Sequence, residues 1–261
     1  MPFRSADDGA RLYHHLDGHP GRPLLILGNS LGTDMFMWAP QMEALSAHYR
    51  VLRMDTRGHG ASDVRPGDTR IERLARDVLD AADLLQAERF DFCGLSLGAM
   101  VGQWLGIHAP QRLRHLVLSN GSPWLPSHES WSTRMALARR EGMPALLDMV
   151  MPRFFSDSWR QRDEPIYHAM RNSFATMDAE GYAACCAAVR DADFRADLER
   201  IATPTLVIGG ALDTATPAAE HAAALRRGIP GAEWALLDAG HIANVEQPLA
   251  FNRALLDFLQ G

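Results

Sequence analysis

Gly94-Leu95-Ser96-Leu97-Gly98 limits what this chain can fold into more than any other stretch. It follows an apolar run, Phe90 to Cys93, and precedes a helix-compatible run, Ala99 to His108. A serine at such a junction sits on a tight strand-to-helix turn with strained backbone angles. The flanking glycines let neighbouring chain approach closely, and the turn lifts the hydroxyl out of the sheet. A helix N-terminus at the same point favours developing negative charge. The plainer alternative is a glycine-rich turn whose serine only caps the helix. The strand–turn–helix context favours a nucleophile.

The rest of the chain supplies a matching frame. Two short strand-like runs, Phe3 to Ala6 and Arg11 to Leu16, flank Asp8-Gly9, a turn pair able to take positive φ, and predict a hairpin. Six further runs follow: Leu24 to Leu27, Val51 to Met54, Phe90 to Cys93, Leu116 to Leu118, Thr205 to Ile208 and Trp234 to Leu237. Most are continuously apolar, as strands are when helices cover both faces of a sheet. Helical patterns lie between them; Ile71, Leu74, Ala75, Val78, Ala82 and Leu85 share one face. This alternation predicts an α/β fold with a mostly parallel eight-stranded sheet flanked by helices. From about Ser122 to Arg195 no strand candidate occurs, and several short helices are expected. Residues 122–195 therefore read as a helical lid inserted between strands, and 1–121 with 196–261 as the core domain. Trp124, Trp131, Trp159, Phe154 and Phe155 lie in the lid. Most should pack its own core, with two or three touching substrate.

Bulk properties exclude some classes. With a net charge of −6 and no basic cluster, the chain gains little from approaching nucleic-acid phosphates. No apolar run approaches the roughly 18 residues that span a membrane. The three cysteines, Cys93, Cys185 and Cys186, form no CxxC pair, so no disulfide framework or zinc site is expected. The first residues are polar and lack a signal-peptide core, and a cytoplasmic location is the expectation. Homo-oligomerisation is left open.

A serine needs a base, and the base needs a carboxylate to fix its tautomer. Asp213 follows the strand at Thr205, and His241 follows the strand at Trp234. Both should fall at the C-terminal edge of the sheet with Ser96, where open α/β sheets bind ligands. His59 is the main rival to His241 and reads as structural, since it precedes the nucleophile in the chain. His19, His48, His128 and His221 read as solvated. Asp238, only three residues before His241, would struggle to reach its ring. Two backbone donors must face the developing oxyanion. The N–H groups of Leu97, after the nucleophile, and of Leu31, in Gly28-Asn29-Ser30-Leu31-Gly32, are chosen by position.

The blocks Asn29-Ser30-Leu31-Gly32-Thr33-Asp34, Met37-Trp38-Ala39-Pro40-Gln41, Asp55-Thr56-Arg57-Gly58-His59-Gly60, Gly94 to Gly98 and Gly240-His241-Ile242-Ala243-Asn244 together resemble the 3-oxoadipate enol-lactonases of the α/β-hydrolase superfamily. The resemblance covers nearly the whole chain. The Asn-Ser-Leu-Gly-Thr block is its most discriminating part, and Asn120-Gly121-Ser122-Pro123-Trp124 is a departure from it. It implies a serine esterase that hydrolyses 3-oxoadipate enol-lactone to 3-oxoadipate in β-ketoadipate aromatic degradation, with no cofactor and no metal. The implied substrate is a small anionic lactone, and its carboxylate needs a cation in the cleft. Arg134, with Trp131 one helical turn earlier, is the candidate substrate-binding pair. The alternatives are a general carboxylesterase or C–C bond hydrolase of the same fold and, more remotely, a non-catalytic small-molecule receptor.

Overall fold

The Asp8–Gly9 turn closes an antiparallel hairpin, with Gly9 at a φ of 77°. The computed structural model describes residues 3–261. Eight strands form one sheet: β1 Phe3–Ser5, β2 Arg11–Asp17, β3 Leu24–Gly28, β4 Arg50–Met54, β5 Phe90–Leu95, β6 Leu113–Ser119, β7 Thr205–Gly210 and β8 Glu233–Leu237. Their spatial order is β1-β2-β4-β3-β5-β6-β7-β8. β1 and β2 run antiparallel to their neighbours, and every pairing from β4 to β8 is parallel. β5 and β7 are buried along their whole length, which accounts for their unbroken apolar runs. β8, at the sheet edge, is half exposed.

Helices α1 Met42–Ser46, α2 Ile71–Leu84 and α3 Leu97–His108 precede β6. Helices α9 His221–Gly228, α10 Ala243–Glu246 and α11 Pro248–Gln260 complete the core. Between β6 and β7 lie α4 His128–Glu141, α5 Leu147–Phe154, α6 Asp157–Arg160, α7 Pro165–Thr176 and α8 Ala179–Asp191. This insertion, called the lid below, contains no strand; a single bridge, Trp124 to Asp193, ties its two ends together.

The buried face of α2 holds the apolar residues expected from its pattern, and also Asp77. Asp77 pairs bidentately with Arg57 at 2.6 and 2.7 Å, both side chains nearly inaccessible to solvent. A buried carboxylate survives there because a planar guanidinium satisfies both its oxygens. The three cysteines are free and buried. Among the described residues no helix is long and apolar enough to cross a membrane.

Candidate active site

Ser96 stands between β5 and α3 at φ 57° and ψ −110°, a region that non-glycine residues avoid. Such a conformation costs about 1–3 kcal/mol and persists only where the surroundings impose it. Here they do. A Cβ on Gly94 would lie 2.1 Å from the Gly98 carbonyl oxygen, and one on Gly98 would lie 2.3 Å from the Gly28 oxygen. The two glycines of the motif are therefore required by backbone crowding.

Asp213 follows β7 and His241 follows β8, and the loops bring them together. His241 Nδ1 lies 2.9 Å from Asp213 Oδ2, both side chains almost fully buried. Asp238 makes no such contact; its carbonyl accepts from Gln247 instead. Asp213 also accepts from Ala215 N–H at 2.8 Å, Thr216 N–H at 2.9 Å, Thr216 Oγ1 at 2.8 Å and Asn120 Nδ2 at 3.0 Å. Burial pushes its carboxyl up. The neighbouring His241 charge and these hydrogen bonds outweigh burial and hold it below the usual carboxylate range. An ionised Asp213 can only accept, so Nδ1 of His241 donates to it and Nε2 is the ring nitrogen not used by that bond.

His241 and Ser96 line one cavity of about 280 Å³. They share it without a direct hydrogen bond among the described residues, and such contacts often tighten only with substrate in place. The His241 ring stacks on Phe154 of the lid, with ring centroids 6.3 Å apart. Its loop is stitched to the lid: Ile242 N–H donates to the Phe154 carbonyl, and Glu246 accepts from both Gly240 N–H and Ser156 N–H. Asn120, Thr216 and Glu246 were not singled out from sequence. Asn120 carried a local signal, an Asn-Gly pair at the end of β6.

The amides of Leu31 and Leu97 donate to no acceptor among the described residues, although both residues are buried. Their neighbours are committed: Ser30 N–H to Met37 Sδ, Gly32 N–H to His59 Nε2, Ser96 N–H to the Ser119 carbonyl and Gly98 N–H to the Asn29 carbonyl. Two orphan donors are thus left near Ser96; Leu31, Leu97 and Ser96 line one small recess. Buried amides are rarely left unpaired without a reason.

His59 does not line the cavity. It is wholly buried, its Nε2 accepts from Gly32 N–H at 3.0 Å, and Nδ1 faces the Arg57 carbonyl at 3.3 Å. Burial pushes its pKa down to about 4, so the ring is neutral and holds the loop that carries Leu31.

Trp131 and Arg134 both line the cavity, with the Arg134 guanidinium 4.7 Å from the Trp131 ring centroid. Two further lining residues, Arg153 and His221, were not expected from sequence. His221, read above as solvated, is instead buried, with Nδ1 2.8 Å from Ser122 Oγ. The correction has a physical source: α9 packs its first turn against the segment after β6, a contact invisible in local polarity. Among the described residues, no group of three or more His, Cys, Asp or Glu is placed to hold a metal ion.

A family profile of the alpha/beta hydrolase fold matches residues 19–248. 3-Oxoadipate enol-lactonase 2 of Acinetobacter baylyi is 39% identical over 238 residues, covering 91% of this chain and 89% of that protein. The enol-lactonase from Burkholderia xenovorans LB400 superposes with a TM-score of 0.97 at 41% identity, covering 100% of both chains. A hydrolase from Pseudomonas aeruginosa PA01 does so with a TM-score of 0.96 at 45% identity, covering 99% of this chain and 98% of that one. With its sheet order, its serine elbow and these likenesses taken together, the chain belongs to the alpha/beta-hydrolase family.

Proposed function

We propose that this protein is a serine hydrolase that opens a small carboxylated lactone, with 3-oxoadipate enol-lactone as its substrate. One observation carries the chemistry: the buried Asp213–His241 pair opens onto the same cavity as a strained serine with two uncommitted amides nearby. The likeness to enol-lactonases over nearly the full length supports the substrate.

In this reading Ser96 Oγ attacks the lactone carbonyl while His241 Nε2 takes its proton. The carbonyl oxygen becomes negative between the Leu31 and Leu97 amides, donors that need no reorganisation. Asp213 steadies the imidazolium without itself being protonated. Collapse of the tetrahedral intermediate breaks the ring C–O bond, and the departing oxygen receives the proton from His241. An enol is a better leaving group than an alkyl alcohol, so this step is eased. Water, deprotonated by His241, then attacks the acyl-serine. Ser96 leaves with the proton returned, and the freed enol tautomerises to the ketone. Trp131 and Arg134 face the reacting groups from the lid and serve substrate binding. The core, residues 1–121 and 196–261, and the lid, residues 122–195, act as two units that meet at the cavity, and the enzyme works in the cytoplasm.

Generating the enol-lactone in place and following its ultraviolet absorbance tests the proposal. Its loss should accelerate with protein and stop with Ser96→Ala. Turnover of simple aryl esters without any acceleration of lactone loss would favour a general carboxylesterase instead.

A further inference from the structure

Asp213 holds one edge of the His241 ring, and the peptides on either side of the histidine are tied down separately. Ile242 N–H donates to the Phe154 carbonyl at 2.8 Å, and Gly240 N–H donates to Glu246 Oε2 at 2.9 Å. The Gly240 carbonyl accepts from Asn120 Nδ2 at 3.3 Å. Gly240 has no room for a side chain. A Cβ there would lie 2.7 Å from Ser156 N and 2.9 Å from the Phe155 carbonyl carbon, both backbone atoms of the lid.

Glu246 is the unexpected member of this set. It is only 6% exposed, and no arginine or histidine pairs with it among the described residues. A buried carboxyl group ordinarily needs such a partner. Three hydrogen-bond donors stand in its place. Oε2 accepts from Gly240 N–H and from Ser156 N–H at 3.1 Å, and Oε1 accepts from Ser156 Oγ–H. One donor belongs to the histidine loop and two to the lid. A closed ring of contacts results: His241 stacks on Phe154, Phe154 leads to Ser156, Ser156 bonds Glu246, and Glu246 returns to Gly240.

We propose that Glu246 is a positioning residue for the base: by locking Gly240 against Ser156 it holds the His241 ring in reach of Ser96. Glu246 itself does not line the cavity, so it acts through the histidine loop and not on substrate. Phe154 to Ser156 thereby work as part of the rim. The role matters because a base displaced by about 1 Å can lose about 100-fold in rate. This inference rests on His241 serving as the base of Ser96, and not on which ester is the substrate.

Turnover of 4-nitrophenyl acetate and the rate of Ser96 labelling by a fluorophosphonate ester test it together. Glu246→Ala leaves two buried N–H groups without their acceptor. It should lower kcat by about 10- to 100-fold with KM within about threefold of the wild type, since both half-reactions use the base. Labelling of Ser96 should slow by a similar factor. Glu246→Gln should recover kcat to within about fivefold of the wild type: its one amide oxygen can accept both N–H groups, and the Ser156 hydroxyl can turn to accept from the amide nitrogen. If Glu246→Ala does not fold, Gly240→Ala gives the same readout by pushing the loop away from Ser156 N. A lower thermal midpoint with kcat and labelling within about twofold of the wild type would leave Glu246 a structural brace and overturn the inference. So would a Glu246→Gln enzyme as slow as Glu246→Ala, because the effect would then follow charge and not placement. A wild type that neither cleaves the ester nor labels at Ser96 removes the reading of Ser96 and His241, and this inference with it. Equal labelling rates in the wild type and Glu246→Ala remove the inference alone.

Discussion

Asp213 sits in a cradle of four hydrogen bonds of 2.8 to 3.0 Å, besides the one to His241, whereas Arg134 and Arg153, the two arginines lining the cavity, each have a single hydrogen-bond contact, of 3.5 and 3.4 Å. At the sheet rim, backbone and buried partners fix the Asp213–His241 pair. On the lid side of the cavity, two long side chains are held by few and long contacts. In the proposed reaction, pre-organisation thus falls where charge would develop, and adaptability where substrate would be recognised. Substitutions at the rim should therefore change kcat, and substitutions in the lid should change KM.

The largest effect expected is at Ser96. Ser96→Ala should lower kcat by at least about 10⁴-fold, and Asp213→Asn by about 10⁴-fold through the wrong imidazole tautomer. Pre-steady-state ester hydrolysis reads both; a Ser96→Ala enzyme that keeps a burst would break the contrast. Next comes stability of the core behind the rim. Arg57→Met leaves the buried Asp77 carboxylate with only its 3.1 Å contact to Arg73, and should cost about 3 kcal/mol in urea unfolding. A loss under about 1 kcal/mol would show that the pair is dispensable.

Acid should act on the rim as well. His59 has a folded pKa of about 4 against an ordinary 6.5, so between those values the unfolded chain binds more protons than the folded one. Its stabilising effect is thus fully present above pH 6.5 and is lost as pH falls toward 4, by roughly 3 kcal/mol. Asp213, held below its usual range, adds loss in the same direction at lower pH. His59→Gln keeps an acceptor for Gly32 N–H but does not titrate, and should flatten the difference between urea midpoints at pH 7 and pH 5. An unchanged difference would assign the acid sensitivity elsewhere. The smallest effect belongs to the lid: Trp131→Ala should raise KM about tenfold, the loss of one aromatic contact, with kcat within about threefold. A kcat loss as large as at the rim would erase the distinction.

Legibility in the sequence divides along the same line. The Ser96 elbow is readable because its requirements are local: a strand before, a helix after, and glycines where backbones cross. Asp213 and His241 are readable because parallel strands end at one edge, which turns chain position into spatial position. The supports are not readable that way. Asn120 and Thr216 reach Asp213 from separate loops; the Asn-Gly pair marks a turn at Asn120 but not its partner, and nothing in its neighbours marks Thr216. Asp77 sits on the apolar face of α2, where polarity alone argues for solvent, and its reason for burial is Arg57, 20 residues away. His221 and Arg153 read as ordinary polar helix residues; only tertiary packing turns them to the cavity. The Arg134–Trp131 spacing was visible because one helical turn relates them, while the second arginine lies on another helix.

The central claim is that one serine, activated by His241 on the Asp213 cradle, is the reacting atom of the cavity. Intact-protein mass spectrometry after treatment with a fluorophosphonate ester, followed by peptide mapping, tests it most directly. The account predicts a single adduct on Ser96, absent from Ser96→Ala and formed far more slowly in His241→Ala. An adduct on any other residue, or unchanged labelling of Ser96 without His241, would contradict it.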